Sequence, residues 1–108
     1  LWLSPEHIRI ITINDSVNDY CQKLKNLFEN INLICNIDLR AESLNKKVRD
    51  AQIDYIPLII TIGQKEVEGE FLSVRTLSGK IKYNYKTGDF ISDVIKNIEN
   101  YKLEIDFI

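Results

Sequence analysis

The sequence predicts an α/β domain built as a five-stranded mixed sheet with three helices. Two features predict it. Through Ile62, apolar β-branched runs alternate with stretches whose apolar residues recur at helical spacing. Beyond Ile62 the alternation stops, and two strand-like stretches flank Ser78-Gly79 before a last helical stripe. Strand–helix–strand alternation implies parallel pairing through right-handed crossovers, whereas the Ser-Gly signal implies an antiparallel hairpin.

Each element has its own signal. Ile8 to Ile13 (IRIITI) is β-branched with little polarity and reads as a buried strand. Asn14-Asp15-Ser16 offers a helix cap, with Asp19 three residues after Ser16 as a weaker form of the capping box. Val17, Tyr20, Cys21, Leu24, Leu27, Phe28 and Ile31 then follow at the spacing of a first helix. Leu33 to Leu39 reads as a second strand, and Arg40-Ala41-Glu42-Ser43 as a loop ending in a cap. Leu44, Val48, Ala51 and Tyr55 face inward on a second helix, whose outer face carries Lys46, Lys47, Arg49 and Asp50. Ile56-Pro57 ends that helix, because a residue before proline avoids the α region. Leu58 to Ile62 is a third buried strand, and Gly63-Gln64-Lys65 a turn. Val67 to Thr76 and Lys80 to Tyr85 are the hairpin strands. Tyr83 and Tyr85 alternate there, so both are expected on one side, packing across strands or stacking on a base. Phe90, Val94, Ile95, Ile98 and Tyr101 form the last helical stripe.

Composition limits what such a domain does. A chain of 108 residues corresponds to one domain, and at that size about two-thirds of the unfolded surface is buried on folding. With 44% hydrophobic and 28% charged residues, intrinsic disorder is excluded. No uncharged apolar run approaches the roughly 18 residues of a membrane span, and no signal peptide is visible, so a cytoplasmic chain with no membrane partner is expected. Methionine is missing even at position 1, which leads us to expect a fragment of a longer chain. The net charge of −2, from 14 basic and 16 acidic residues, excludes a strongly basic footprint. Any nucleic-acid site must therefore be a local patch. Cys21 and Cys35 lack a CxxC or Cys/His pattern and are expected to be buried free thiols, not zinc ligands.

The inventory of reactive groups is thin. His7 is the one histidine, expected to face solvent or cap the first strand. No serine or cysteine has a histidine partner in sequence, and neither GxGxxG nor a P-loop follows a strand. No catalytic residue is expected in this chain. What remains is polarity near strand ends. Arg40 and Glu42 follow the second strand, Glu66 follows the third, and Arg75 lies late in the fourth. Open α/β sheets meet ligands beyond the carboxyl ends of their parallel strands. Arg40, Glu42 and Glu66 are thus expected at that edge, while the place of Arg75 depends on hairpin register. The plain alternative for Glu66 and Arg75 is a surface ion pair. For Lys46, Lys47 and Arg49 it is a solvated helix face.

Taken in order, these residues resemble the C-terminal anticodon-binding domain of the threonyl-tRNA synthetase family. The matching stretches are Trp2-Leu3-Ser4-Pro5, Ile13-Asn14-Asp15, Asp38-Leu39-Arg40-x-Glu42 and Lys47-Val48-Arg49-x-Ala51. They continue with Ile56-Pro57-x-x-Ile60, Gly63-x-Lys65-Glu66-Val67-Glu68 and Ser73-Val74-Arg75-Thr76. The resemblance implies the same mixed sheet and a role in binding the anticodon loop of threonine tRNA. It also implies that ATP, zinc and amino-acid activation belong to a catalytic core elsewhere in the parent chain, which would be a homodimer. By motif, Glu66 and Arg75 match base-contacting positions, and Arg40 and Glu42 the loop beside them. Lys46, Lys47 and Arg49 would then touch phosphates, which position the loop without reading it. The family loop commonly reads Arg-Asn-Glu-Lys, where this chain has Ala41 and Ser43. That departure motivates an interaction module that has lost anticodon reading as an alternative. Others are a histidyl, prolyl or glycyl relative, or a small flavodoxin-like enzyme or nucleotide binder, against which the missing Gly-rich phosphate loop argues.

Overall fold

Ile8, Ile10 and Ile11 are fully buried, and β1 (Ile8–Thr12) accordingly has a strand on each side. The computed structural model describes residues 6–13, 15–40, 42–76 and 79–99. Trp2 to Pro5, Asn14, Ala41, Ser78 and the segment 101–108, with Tyr101 of the predicted last stripe, lie outside the described residues. One turn of 3-10 helix (Asp15–Val17) leads into α1 (Asn18–Asn30), followed by β2 (Cys35–Asp38), α2 (Leu44–Ile53) and β3 (Leu58–Ile62). Then come α3 (Gln64–Gly69), β4 (Phe71–Thr76), β5 (Ile81–Lys86) and α4 (Thr87–Glu99). The sheet order is β2-β1-β3-β4-β5. β1 runs parallel to β2 and β3, and β4 is antiparallel to both β3 and β5, as the sequence pattern implies.

Register assigns the two faces. On one, Ile8, Ile10, Leu58, Ile60, Leu72 and Val74 pack against Cys21, Leu24 and Phe28 of α1 and Phe90 and Val94 of α4. Phe28 and Tyr85 each meet the Phe90 ring edge-on, with centroids 5.7 and 5.5 Å away. On the other face, Ile11, Ile56 and Ile59 pack under Leu44, Val48 and Ala51. This second cluster is small because α2 covers β1 and the near side of β3. Thr61, Ser73, Arg75 and Ile81 carry that same face outward to β5; among the described residues no helix of eight or more residues lies over them, yet Thr61 and Ser73 are buried.

Four local expectations are corrected. The turn at Gly63-Gln64-Lys65 is the first turn of α3, and the fourth strand begins at Phe71, not Val67. Glu66 folds back onto the Gly63 amide and Gln64 bonds Glu68 one turn on, so local pairing wins over the strand propensity of Val67. Helix α2 ends at Ile53, and Tyr55, with φ of 57°, is 74% exposed instead of inward-facing. A bulge in β5 places Tyr83 and Asn84 against the single residue Ser73, between the pairs Val74–Lys82 and Leu72–Tyr85. Asn84 takes φ of 53°, so Tyr83 and Tyr85 end on opposite faces. His7 is buried, its Nδ1 accepting from the Ile34 amide at 2.9 Å, because β1 starts in pairing contact with the loop before β2.

Candidate nucleic-acid interface

Glu66 is the third residue of α3, the position from which a glutamate reaches back to the helix start. Its Oε2 accepts from the Gly63 amide at 3.0 Å, and its Oε1 accepts from the Ser73 hydroxyl at 3.1 Å. Gly63 is needed for closeness. A Cβ there would lie 2.9 Å from Ile13 Cδ1 and 3.2 Å from Glu66 Oε2. The carboxylate is thus held at both oxygens yet only half-buried, and a carboxylate offers about four acceptor positions, leaving two for a ligand.

Arg75 sits on the same strand as Ser73, two residues on, so both side chains leave the same face of the sheet. It lies opposite Ile59 on β3 and Ile81 on β5. Antiparallel pairing therefore sets it one pleat from Ser73, toward the N-terminal end of β3. Among the described residues no hydrogen bond or ion pair holds its guanidinium, and its Nε is buried without a partner. An unpaired buried donor costs about 1–3 kcal/mol. The ion pair with Glu66, the plain alternative above, is not formed. One face therefore offers a fixed acceptor and a free donor fork side by side.

The remaining candidates lie elsewhere. β2 and β4 are three strand spacings apart, about 14 Å. Beyond β2, Arg40 bonds Asp38 through Nε at 2.9 Å and Nη2 at 2.8 Å, and Asp50 at 2.9 Å. These bonds hold the Asp38 carboxyl below the usual carboxylate range and push Arg40 further up. Glu42 and Arg49 are exposed, and Lys46 is exposed 4.0 Å from Asp50. Lys47 is not on the outer face. It is 5% exposed, and its Nζ donates to the main-chain oxygens of Thr12 and Asp38, each at 3.4 Å. Carbonyls freed where β1 and β2 end draw the ammonium inward. A cleft of about 550 Å³ also lies on this side, but its cations are already paired, Arg9 with Glu6 and Asp54, and Arg40 with Asp38 and Asp50.

Gly63 and Ser73 fall in the matching stretches, but no role at the site was assigned to either from the sequence, although Gly63 and Glu66 stand at capping-box spacing. Cys21 and Cys35 are buried and free, their thiols pushed up to about 11 and about 12 by burial, which leaves them unreactive. Among the described residues no three His, Cys, Asp or Glu side chains converge as metal ligands, and no helix is long and apolar enough to cross a membrane.

Comparisons with known proteins bear on the family and the fold. The family model described as the anticodon binding domain matches residues 7–97. Threonine–tRNA ligase of Desulforapulum autotrophicum is 45% identical over 108 residues, all of this chain and 17% of that ligase. The ligase of Chlamydia trachomatis is 36% identical over 95% of the chain and 16% of its own length. The chain thus spans about a sixth of these relatives. The crystal structure of the RNA binding domain of threonyl-tRNA synthetase from Cryptosporidium parvum superposes with a TM-score of 0.75 at 17% identity, over 97% of this chain and 25% of that one. That likeness is one of fold: the same mixed sheet in the same layers. The chain belongs to the anticodon-binding domain family.

Proposed function

We propose that this chain reads the anticodon loop of threonine tRNA as one domain of a threonine–tRNA ligase. The single observation that carries the reading is that Glu66 and Arg75 open onto one sheet face without pairing to each other. Threonine anticodons share a central G and a final U. A carboxylate accepts from the N1–H and N2 amino group of G, and an arginine fork donates to its O6 and N7. Loop bases are unstacked, so these edges are within reach of side chains on a rigid sheet. Glu66 is the acceptor and Arg75 the donor in this account. Arg49 and Lys46, exposed on α2, are assigned to phosphates, with Glu42 and Arg40 in the adjoining loop. Lys47 supports that loop from below. ATP, zinc and aminoacyl transfer are assigned to a catalytic core outside this chain, in a homodimeric cytoplasmic ligase.

The test is binding of a threonine anticodon stem-loop to the 108-residue chain, beside loops with the central G changed, over a range of salt. The reading predicts preference for the cognate loop at every salt and affinity falling as salt rises. Equal binding to all loops overturns it in favour of a domain that has lost anticodon reading.

A further inference from the structure

Resting on that reading, we propose that Tyr83 is a stacking platform for one unpaired base of the bound RNA loop. Three observations carry this. The bulge sets Tyr83 across from Ser73, the residue that anchors Glu66, while its strand neighbour Ile81 lies across from Arg75. Tyr83 therefore stands on the Glu66–Arg75 face, beyond both. It is 63% exposed and, among the described residues, nothing bonds its hydroxyl, whereas Tyr85, on the opposite face, is 3% exposed under Phe90 and Lys82. Tyr85 does the core packing of β5, and Tyr83 has no packing role that requires an aromatic ring.

The third observation is charge. Residues 79–88 (GKIKYNYKTG) carry three lysines and no carboxylate in a chain whose net charge is −2. Lys82 is turned to the other face, 3.9 Å over the Tyr85 ring. Lys86 pairs with Phe71 at the end of the strand, and Lys80 is exposed where the strand begins. An exposed aromatic between cations on a strand suits single-stranded nucleic acid: the ring takes a base and the lysines take its phosphates.

The experiment measures binding of the threonine anticodon stem-loop to the 108-residue chain, to Tyr83→Ala, to Tyr83→Leu and to Tyr83→Phe. Each is repeated with every loop base in turn replaced by an abasic nucleotide. Tyr83→Ala is expected to lose roughly 5- to 150-fold, Tyr83→Leu to fall between, and Tyr83→Phe to stay within about twofold. On the one abasic loop that lacks the stacked base, the wild-type chain and Tyr83→Ala should bind alike. Thermal unfolding of the exposed-site variants should match the wild type. Should Tyr83→Ala melt early, the Phe–Leu comparison decides, since both retain apolar bulk. The proposal is overturned if Tyr83→Ala or Tyr83→Leu binds like the wild type, or if the loss persists on every abasic loop. If the wild-type chain shows no preference for the threonine loop, the anticodon reading fails and this proposal with it. If that preference is intact and Tyr83 is neutral, only this proposal fails.

Discussion

The Ser73 hydroxyl donates to Glu66 Oε1 at 3.1 Å, tying the helix that follows β3 to the strand that returns beside it. Glu66 is by this bond a fixed part of the sheet face, not a freely rotating surface carboxylate. Removing the hydroxyl should therefore act on recognition. Ser73→Ala is expected to cost about 0.5–1.5 kcal/mol of stability. Discrimination for the central G should shrink several-fold, because the carboxylate no longer stands in one orientation. Urea unfolding and stem-loop titration measure the two effects separately.

Gly63→Ala tests the same carboxylate from its other side. The backbone there is extended (φ −123°, ψ −171°), so alanine meets no dihedral strain. Its methyl would crowd the flexible end of Ile13 and Glu66 Oε2. The stability loss is expected to fall below the about 1–3 kcal/mol of core overpacking. Binding of the cognate loop should weaken while binding of a loop with a changed central base stays put. Comparing the two titrations against one thermal melt checks this.

Lys47 holds together the ends of two strands, and its neighbours on α2 do not. Lys47→Met keeps the aliphatic stem but leaves the Thr12 and Asp38 carbonyls without their donor. It should cost about 1–3 kcal/mol. Lys46→Met and Arg49→Ala, both at exposed positions, should stay within about 0.5 kcal/mol. Denaturant midpoints of the three variants provide the measurement.

The Asp38–Arg40 pair makes the fold sensitive to acid. The guanidinium and the main-chain amide of Arg40 hold the Asp38 carboxyl below the ordinary value, so the unfolded chain takes up this proton more readily than the folded one. The pair's contribution is complete above the unfolded carboxyl value of about 3.9 and drains away as pH falls through the lower, folded value. Unfolding midpoints taken from pH 6 down to pH 2 should drop more steeply for the wild type than for Asp38→Asn below about pH 4. Asp38→Asn should already be less stable at pH 6.

Elements governed by burial were readable from the residues alone. Leu58 to Ile62 is buried at every position and matches its predicted strand end to end. Ser43 caps α2, accepting from the Lys46 amide at 3.2 Å, as its place in the loop implied. Features decided by competition between local and tertiary forces were not. Val67 favours a strand, but the Gly63–Glu66 contact starts a helix around it. Lys47 looks like a surface lysine until the ends of β1 and β2 supply carbonyls that no helical periodicity can reveal. The Tyr83–Tyr85 alternation was broken by one inserted residue, Asn84, whose bulge depends on the partner strand. Of the site, Glu66 and Arg75 were marked by motif. Their shared face needed the β3–β4 register, which pairs Ile59 with Arg75 and Thr61 with Ser73.

The most direct measurement is a cycle between Arg75 and the central base of the loop. Affinities of the wild-type chain and Arg75→Ala are taken for the threonine stem-loop and for one with its central G changed. The account predicts that Arg75→Ala loses about 1–3 kcal/mol on the cognate loop and little on the altered one, since the lost fork has no G to hold there. Equal losses on the two loops would make Arg75 a phosphate contact and contradict base reading by this face.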